Sequence, residues 1–326
     1  MKDGYGREIT YLRISLTDRC NLRCVYCMPL RRLTFLPNAD LLTAPELARV
    51  VRAAVDVGFN KFRLTGGEPT LRRDIVEIVR SLTRINGVDQ LVMTTNGYRL
   101  PTLAPELATA GLKRVNIHLD SLNEASMAKT MRLGSFDKAW AGLEAAEKAG
   151  LTPLKLNVVV VRGYNDDTLV DFARLTLTKP WQVRFIELMP FAGSAQIALE
   201  NYMSNDEVKH RLETELGALF EINPGQRDGE AQLYRLPGAA GALGFISPNS
   251  SPYCRQCNRI RLTTDGRLRM CLLTDSGIDF RDTLRNGGLH QYLVALFKQA
   301  IEAKPLGHQL AHGLHPTART MSQIGG

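Results

Sequence analysis

The stretch ITYLRISLTDRCNLRCVYC, residues 9–27, carries the reading that fixes the fold of this chain. Its first part, Ile9–Thr17, is an apolar, β-branched run that reads as a strand. Its second part holds three cysteines, Cys20, Cys24 and Cys27, spaced C-x3-C-x2-C. Thiols placed directly after a strand occupy a strand-to-helix loop, and in parallel α/β folds such loops collect functional groups at the C-terminal ends of the strands. Three thiolates in the first such loop read as a metal site at the mouth of the fold.

Outward from this stretch, the strand-then-helix alternation recurs roughly every 25–35 residues as far as Pro190. Strand-like runs are Lys61–Thr65, Gln90–Thr95, Arg114–Leu119, Leu154–Val161 and Val183–Leu188. Helix-like stretches are Ala44–Val57, Asp74–Arg84, Pro101–Ala110, Phe136–Ala149 and Asp166–Leu177. Such alternation means βαβ units and a parallel sheet. Val158–Val161 is continuously apolar, as expected of a strand covered on both faces. The pattern alone leaves an open partial barrel and a doubly wound sheet as alternatives. Beyond Met203 the character changes. Ser204–Leu216 reads as a helix with a Ser204/Glu207 capping box, followed by short strands and Gly/Pro-rich turns. Arg259–Thr264 and Arg267–Cys271 flank Asp265-Gly266, a two-residue hairpin signal. The expected division is a larger unit over 1–220 and a smaller α+β region over 221–326.

The six cysteines fall in two short groups, the second being Cys254, Cys257 and Cys271 (C-x2-C-x13-C). Clustered thiols in a long chain are more often metal or redox groups than a disulfide framework. A cubane iron–sulfur cluster takes four ligands, usually cysteines. Three local thiols therefore leave one iron open to a small molecule, and zinc completed by a distant residue is the competing reading. The net charge of +8 fits an anionic partner. No G-x-x-x-x-G-K-[ST] loop is present to cradle phosphates. Five arginines do lie between Cys254 and Cys271: Arg255, Arg259, Arg261, Arg267 and Arg269. On a strand, Arg259 and Arg261 share a face, and guanidinium groups bind phosphate bidentately. Arg13, Arg63 and Lys155 sit inside inferred strands, so each lies near a mouth or pairs with an anion. His308, His312 and His315 read as a solvated tail, and the inner methionines as core filler. The polar start (Met1 to Tyr5) and the lack of a long apolar run predict a cytoplasmic protein.

With Tyr26 before its last cysteine, the first triplet resembles the signature of radical S-adenosylmethionine enzymes, as does Gly66-Gly67-Glu68-Pro69 after the second strand. The resemblance narrows to the GTP 3′,8-cyclase family through Thr17 to Cys24, Cys27-Met28-Pro29, Thr94-Thr95-Asn96-Gly97 and Asp120-Ser121-Leu122. The second triplet with Asn258 to Leu262, and the terminal Gly325-Gly326, extend it over nearly the whole chain. It implies a partial (βα)6 TIM-like barrel with a smaller C-terminal α+β region carrying a second cluster. It implies two [4Fe–4S] clusters as cofactors, on Cys20, Cys24 and Cys27 and on Cys254, Cys257 and Cys271. It implies S-adenosylmethionine contacts at Tyr26, Gly67, His118 and Met189, with His118 standing where the family generally has a hydroxyl residue. It implies GTP contacts at Arg13, Arg63, Thr94, Lys155, Arg259 and Arg261, with the second cluster's open iron facing the guanine. Catalytic roles fall to Arg13, Gly325 and Gly326. The family reaction takes hydrogen from C3′ of GTP with a 5′-deoxyadenosyl radical and joins C3′ to C8, giving 3′,8-cyclo-7,8-dihydro-GTP, the first step of molybdenum cofactor biosynthesis. Implied partners are a reductant protein and the following cyclic pyranopterin monophosphate synthase. No membrane or nucleic acid is expected, and the chain is expected to be a monomer or homodimer. Two alternatives stand beside this: another two-cluster radical enzyme that modifies peptides, and a zinc or nucleic-acid-binding protein.

Overall fold

The computed structural model describes residues 1–30, 34–192 and 194–325. Six strands follow the predicted period: β1 (Tyr11–Ser15), β2 (Lys61–Thr65), β3 (Gln90–Thr95), β4 (Arg114–His118), β5 (Lys155–Val160) and β6 (Gln182–Glu187). The helices between them are α1 (Ala44–Asp56), α2 (Ile75–Thr83), α3 (Leu100–Thr109), α4 (Glu124–Thr130), α5 (Phe136–Lys148) and α6 (Leu169–Thr178). Helix α4 has no counterpart among the predicted elements; at seven residues it is too short to show a period. After β6 come α7 (Ala195–Glu200), α8 (Asn205–Leu216), β7 (Phe220–Ile222), β8 (Gln232–Arg235) and β9 (Ala242–Ile246). Then follow β10 (Arg259–Leu262), β11 (Arg267–Arg269), β12 (Ile278–Asp279), α9 (Arg281–Arg285), α10 (His290–Glu302) and α11 (Met321–Ile324).

Local chemistry sets several of these boundaries. The Ser204/Glu207 capping box opens α8 as predicted, Ser204 Oγ accepting from the Glu207 amide at 3.2 Å. Gly266 takes φ +82° in the β10–β11 turn, the left-handed conformation the Asp-Gly signal implied. Helix α10, absent from the sequence reading, seals α1: the Phe297 ring lies 5.4 Å from Phe59 and 4.9 Å from Phe280.

The strands of the described residues form one sheet, ordered β12-β11-β10-β1-β2-β3-β4-β5-β6-β9-β8-β7. Its centre, from β10 through β1–β6 to β9, is parallel throughout. The predicted partial barrel is present, and strands from beyond residue 220 extend it at both edges. No helix of the described residues is long and apolar enough to cross a membrane.

Strand alternation divides the barrel into two chemistries. Leu12 and Ile14 on β1, Phe62 and Leu64 on β2, and Ile260 and Leu262 on β10 are fully buried in the apolar cluster that includes Leu47, Val50 and Val51 of α1. Each such side chain contributes about 1.5–3 kcal/mol. The intervening positions carry charge. Arg13 pairs in register with Arg63 on one side and Arg261 on the other, so three guanidinium side chains share a row on the other face of the sheet. Parallel barrels ordinarily fill their interior with apolar layers. Here that face carries a row of cations instead.

Candidate active site

The first cysteine triplet lies in the loop after β1, as its position in sequence required. The Cys27 and Met28 amides donate to the Cys24 carbonyl at 3.0 and 3.1 Å, folding Cys24 to Cys27 into a tight turn. Burial pushes the thiols of Cys20 and Cys24 up to about 11 and that of Cys27 to about 12. A metal must therefore displace protons to enter, the usual coupling of ligation to thiol ionisation.

The Gly-Gly-Glu loop packs directly on this turn. The Gly67 amide donates to the Thr17 carbonyl at 2.6 Å and the Glu68 amide to the Arg19 carbonyl at 2.8 Å. A Cβ on Gly67 would sit 2.2 Å from the Arg19 oxygen, so the glycine is required by the backbone carrying Cys20. Gly67→Ala is expected to cost about 1–3 kcal/mol. The checks are a lower urea midpoint and weaker iron retention by the first triplet. The buried Glu68 carboxylate accepts from Thr70 Oγ1 at 2.6 Å, Thr95 Oγ1 at 2.7 Å and the Asn96 amide at 2.7 Å. It thereby ties the loops after β2 and β3 together beneath the cysteines.

Tyr26 and His118 meet at Asp120. The Tyr26 hydroxyl donates to Asp120 Oδ2 at 2.6 Å, and His118 Nε2 lies 2.9 Å from the same oxygen. Burial draws the His118 pKa down, but the Asp120 carboxylate and the Cys24 sulfur outweigh it and hold the imidazole well above its usual range. The ligand atoms of Cys24, His118 and Asp120 lie within 4.8 Å of one another. Asp120 stands in a quoted motif, yet sequence reasoning gave it no role; the signal was its placement just past β4.

The cationic end lies toward the N-terminal ends of the strands. Arg63, Lys155, Arg259 and Arg261 are buried, with exposures of 4–6%. Arg63 donates to the Tyr11 hydroxyl and, at 2.9 Å, to Thr94 Oγ1. Arg184 on β6, which sequence reasoning missed, is 3% exposed and belongs to the same set. Its signal was the one that marked Arg63, a cation inside an apolar strand. Its neighbour Gly244 leaves it room, because a Cβ there would lie 3.0 Å from Arg184 Cγ. Two carboxylates from the β7–β8 connection face these cations. Asp228 pairs with Lys155 and, at 2.7 Å, with Arg184; Glu230 pairs with Arg259 and, at 3.1 Å, with Arg13. These acids, which lie in an irregular loop with no sequence signal, pair with two of the three strand cations singled out in the sequence, Arg13 and Lys155, whereas Arg63 is held by Tyr11 and Thr94. Burial lowers the pKa of Arg259 and Arg261 to about 9, and their mutual repulsion with Arg13 adds to it. Arg13, Arg63, Lys155, Arg184, Arg259 and Arg261 outnumber the two acids by four, and Nε of Arg13 and of Arg259 is buried without a partner. Such a site favours a polyanion. Of the five arginines around the second triplet, only Arg259 and Arg261 serve it. Arg255 is exposed, Arg267 faces Asp279 and Arg269 faces Asp275.

The second triplet lines an open cavity shared with Met189, Arg259 and Arg261. His308 also lines it and is half-buried, which corrects the reading of that histidine as part of a solvated tail; His312 is exposed. The chain end threads between the two thiol groups. The Ser322 amide reaches the Cys27 sulfur. Ile324 packs with Phe191 and Leu273 beside Met189 and Cys271. Arg261 donates to the Gly325 carbonyl at 2.7 Å. Arg319 anchors the tail through two bonds to Asp265, at 2.9 and 2.7 Å. Gly326 lies outside the described residues. The second triplet lies beside Arg259 and Arg261, and the chain end reaches from the Cys27 sulfur at Ser322 to Cys271 at Ile324, linking the two thiol groups. Those cysteine sets suit two iron–sulfur clusters each left one ligand short.

Comparison with known proteins agrees with this geometry. Residues 14–176 match the family model described as Radical SAM superfamily, and residues 181–310 match that described as Molybdenum Cofactor Synthesis C. A GTP 3′,8-cyclase of Pelotomaculum thermopropionicum is 46% identical over 100% of both chains. One from Moorella thermoacetica is 44% identical, again over 100% of both. Among solved structures, Streptococcus suis SuiB bound to S-adenosylmethionine has a TM-score of 0.62 at 13% identity, over 84% of this chain and 64% of that one. The likeness to SuiB is one of fold.

Proposed function

The chain belongs to the GTP 3′,8-cyclase family of radical S-adenosylmethionine enzymes, and from that premise we propose how its residues divide the work of converting GTP to 3′,8-cyclo-7,8-dihydro-GTP. The observation that carries the proposal is a row of buried cations beside the second thiol triplet, with the chain end reaching from the first triplet at Cys27 to Arg261 and Cys271. Cys20, Cys24 and Cys27 hold the first [4Fe–4S] cluster, and Cys254, Cys257 and Cys271 hold the second. Loaded with these clusters and S-adenosylmethionine, the site supplies one-electron cleavage of a sulfonium and hydrogen abstraction from carbon.

The chain's own groups bind and orient. Tyr26, Gly67, His118 and Met189 face S-adenosylmethionine; Asp120 and Glu68 fix the loops that present them. Arg13, Arg63, Lys155, Arg184, Arg259 and Arg261 hold the triphosphate, and Thr94 steadies Arg63. Fixing the phosphates at one end positions the ribose for reaction at C3′, an orientation effect rather than acid–base chemistry. Gly325 orients Arg261 through its carbonyl, and the terminal Gly325-Gly326 pair takes part in catalysis. The division near residue 220 separates a barrel that builds the first site from a region that builds the second. A reductant protein, the following cyclic pyranopterin monophosphate synthase, a cytoplasmic setting and a monomer or homodimer complete the reading. Anaerobic reconstitution tests the cofactor part: about eight irons per chain are expected, and about four after removal of the second triplet.

Lys155 gives this reading a pH signature. Burial, aided by the neighbouring Arg184, lowers its ammonium to about 7 in the free protein. Phosphate favours the charged form, so the pKa rises in the complex. GTP affinity is therefore full below pH 7 and falls as pH rises through that value. Lys155→Met is expected to weaken binding at low pH and to flatten this limb. An unchanged profile of Kd against pH would contradict the assignment.

A further inference from the structure

Lys304, just past α10, is 3% exposed, and the division of work above gives it no task. Its ammonium donates to the carbonyl oxygens of Arg259 at 2.8 Å and Met270 at 2.7 Å. It also lies in hydrogen-bonding reach of the Cys257 sulfur. Met270 precedes Cys271 and Arg259 lies two residues past Cys257, so one cation is fastened to both arms of the second triplet. Among the described residues no carboxylate pairs with it. Lys304 does not line the cavity that Arg259 and Arg261 face, so an incoming anion does not neutralise it. Nearby, Arg7 is paired with Asp3 and donates to the carbonyls of Cys254, Leu306 and Pro305 at 2.7, 2.8 and 2.7 Å, which fixes the same segment without Lys304. Burying an ammonium without a carboxylate is costly, and two carbonyl bonds could be made by a neutral donor. The charge is accounted for if the site it touches is itself anionic.

We infer that Lys304 is a positioning residue that sets the reduction potential of the second cluster by holding a fixed positive charge against Cys257 and Cys271. Reduction adds negative charge to a centre already ligated by thiolates. In a poorly solvated site a nearby cation stabilises the reduced form and raises the potential. Hydrogen bonds and charges around cluster sulfurs are a main protein lever on that potential. The inference rests on the second triplet holding a cluster, as proposed above.

The test uses the full chain reconstituted anaerobically with iron and sulfide, titrated electrochemically and followed by electron paramagnetic resonance. Lys304→Gln keeps a donor and removes the charge; Lys304→Arg keeps the charge. At the wild-type midpoint of the second cluster, the Gln variant is expected to show at least a tenfold lower reduced-to-oxidised ratio, about 59 mV for one electron. The first cluster should not shift, and the Arg variant should titrate like the wild type. A fully loaded Gln variant with unshifted potential overturns the inference. So does a Gln variant with native circular dichroism that loses its second cluster, since Lys304 would then be only a clasp. Wild-type protein that loads four irons and shows one cluster refutes instead the two-cluster reading on which the inference rests.

Discussion

Cys24→Ala protein is expected to release no 5′-deoxyadenosine from S-adenosylmethionine above the background of the reductant. Cys24 is the middle thiol of its triplet, is buried, and its carbonyl receives the two amides that shape the turn. Alanine preserves that backbone and removes one of three local ligands. No other cysteine sits in this loop, since the remaining three lie at 254, 257 and 271. His118 and Asp120 stand close to Cys24, and Asp120 is already engaged by Tyr26 and by the Val159 amide at 2.8 Å. A weak substitute ligand would leave the iron labile. The expected loss is therefore complete rather than graded, with about half the iron retained because the second triplet is intact. Normal 5′-deoxyadenosine yield would remove Cys24 from the site.

The second large effect concerns the chain end. Deleting Gly325 and Gly326 is expected to lower cyclised product by at least ~100-fold, the scale of losing a charge-assisted contact that orients a reacting group. Both clusters and the fold should remain. Gly325 takes φ +88°, and a Cβ there would lie 2.8 Å from Ser15 Cβ, so the tail fits only as glycine. Its carbonyl holds Arg261, which also lies beside the like-charged Arg13. Without it, Arg261 is free to turn. Cleavage of S-adenosylmethionine should continue while product fails to appear, so the ratio of the two is the measurement. Full product formation by the truncated chain would take the tail out of the mechanism.

Much of this architecture was legible in the residues. Parallel strands and amphipathic helices declare themselves by local period, so β1–β6 and their main helices followed from pattern. The Arg259/Arg261 pair was legible because neighbouring residues on a strand alternate faces. The attachment of β9 to β6 and of β10 to β1 was not, because pairing partners 60 and more residues apart leave no periodic trace. Arg184 carried the same signal as Arg63, a cation within a buried strand, and was passed over. Asp228 and Glu230 stayed hidden because acids in a short polar loop read as solvated. Burial alone would raise the Asp228 pKa, yet Arg184 and Lys155 hold it well below the usual carboxylate range. Only the folded chain reveals that this loop reaches the cations. Lys304 was silent for a related reason: nothing in its sequence neighbourhood foretells that its ammonium meets Cys257, 47 residues earlier.

The central claim is that this chain couples S-adenosylmethionine cleavage to GTP. The most direct measurement reconstitutes the protein anaerobically with iron and sulfide, adds reductant and S-adenosylmethionine, and quantifies 5′-deoxyadenosine with and without GTP. A GTP-stimulated yield accompanied by a cyclised guanosine product is the predicted result. Cleavage indifferent to GTP, with no such product, would contradict the account.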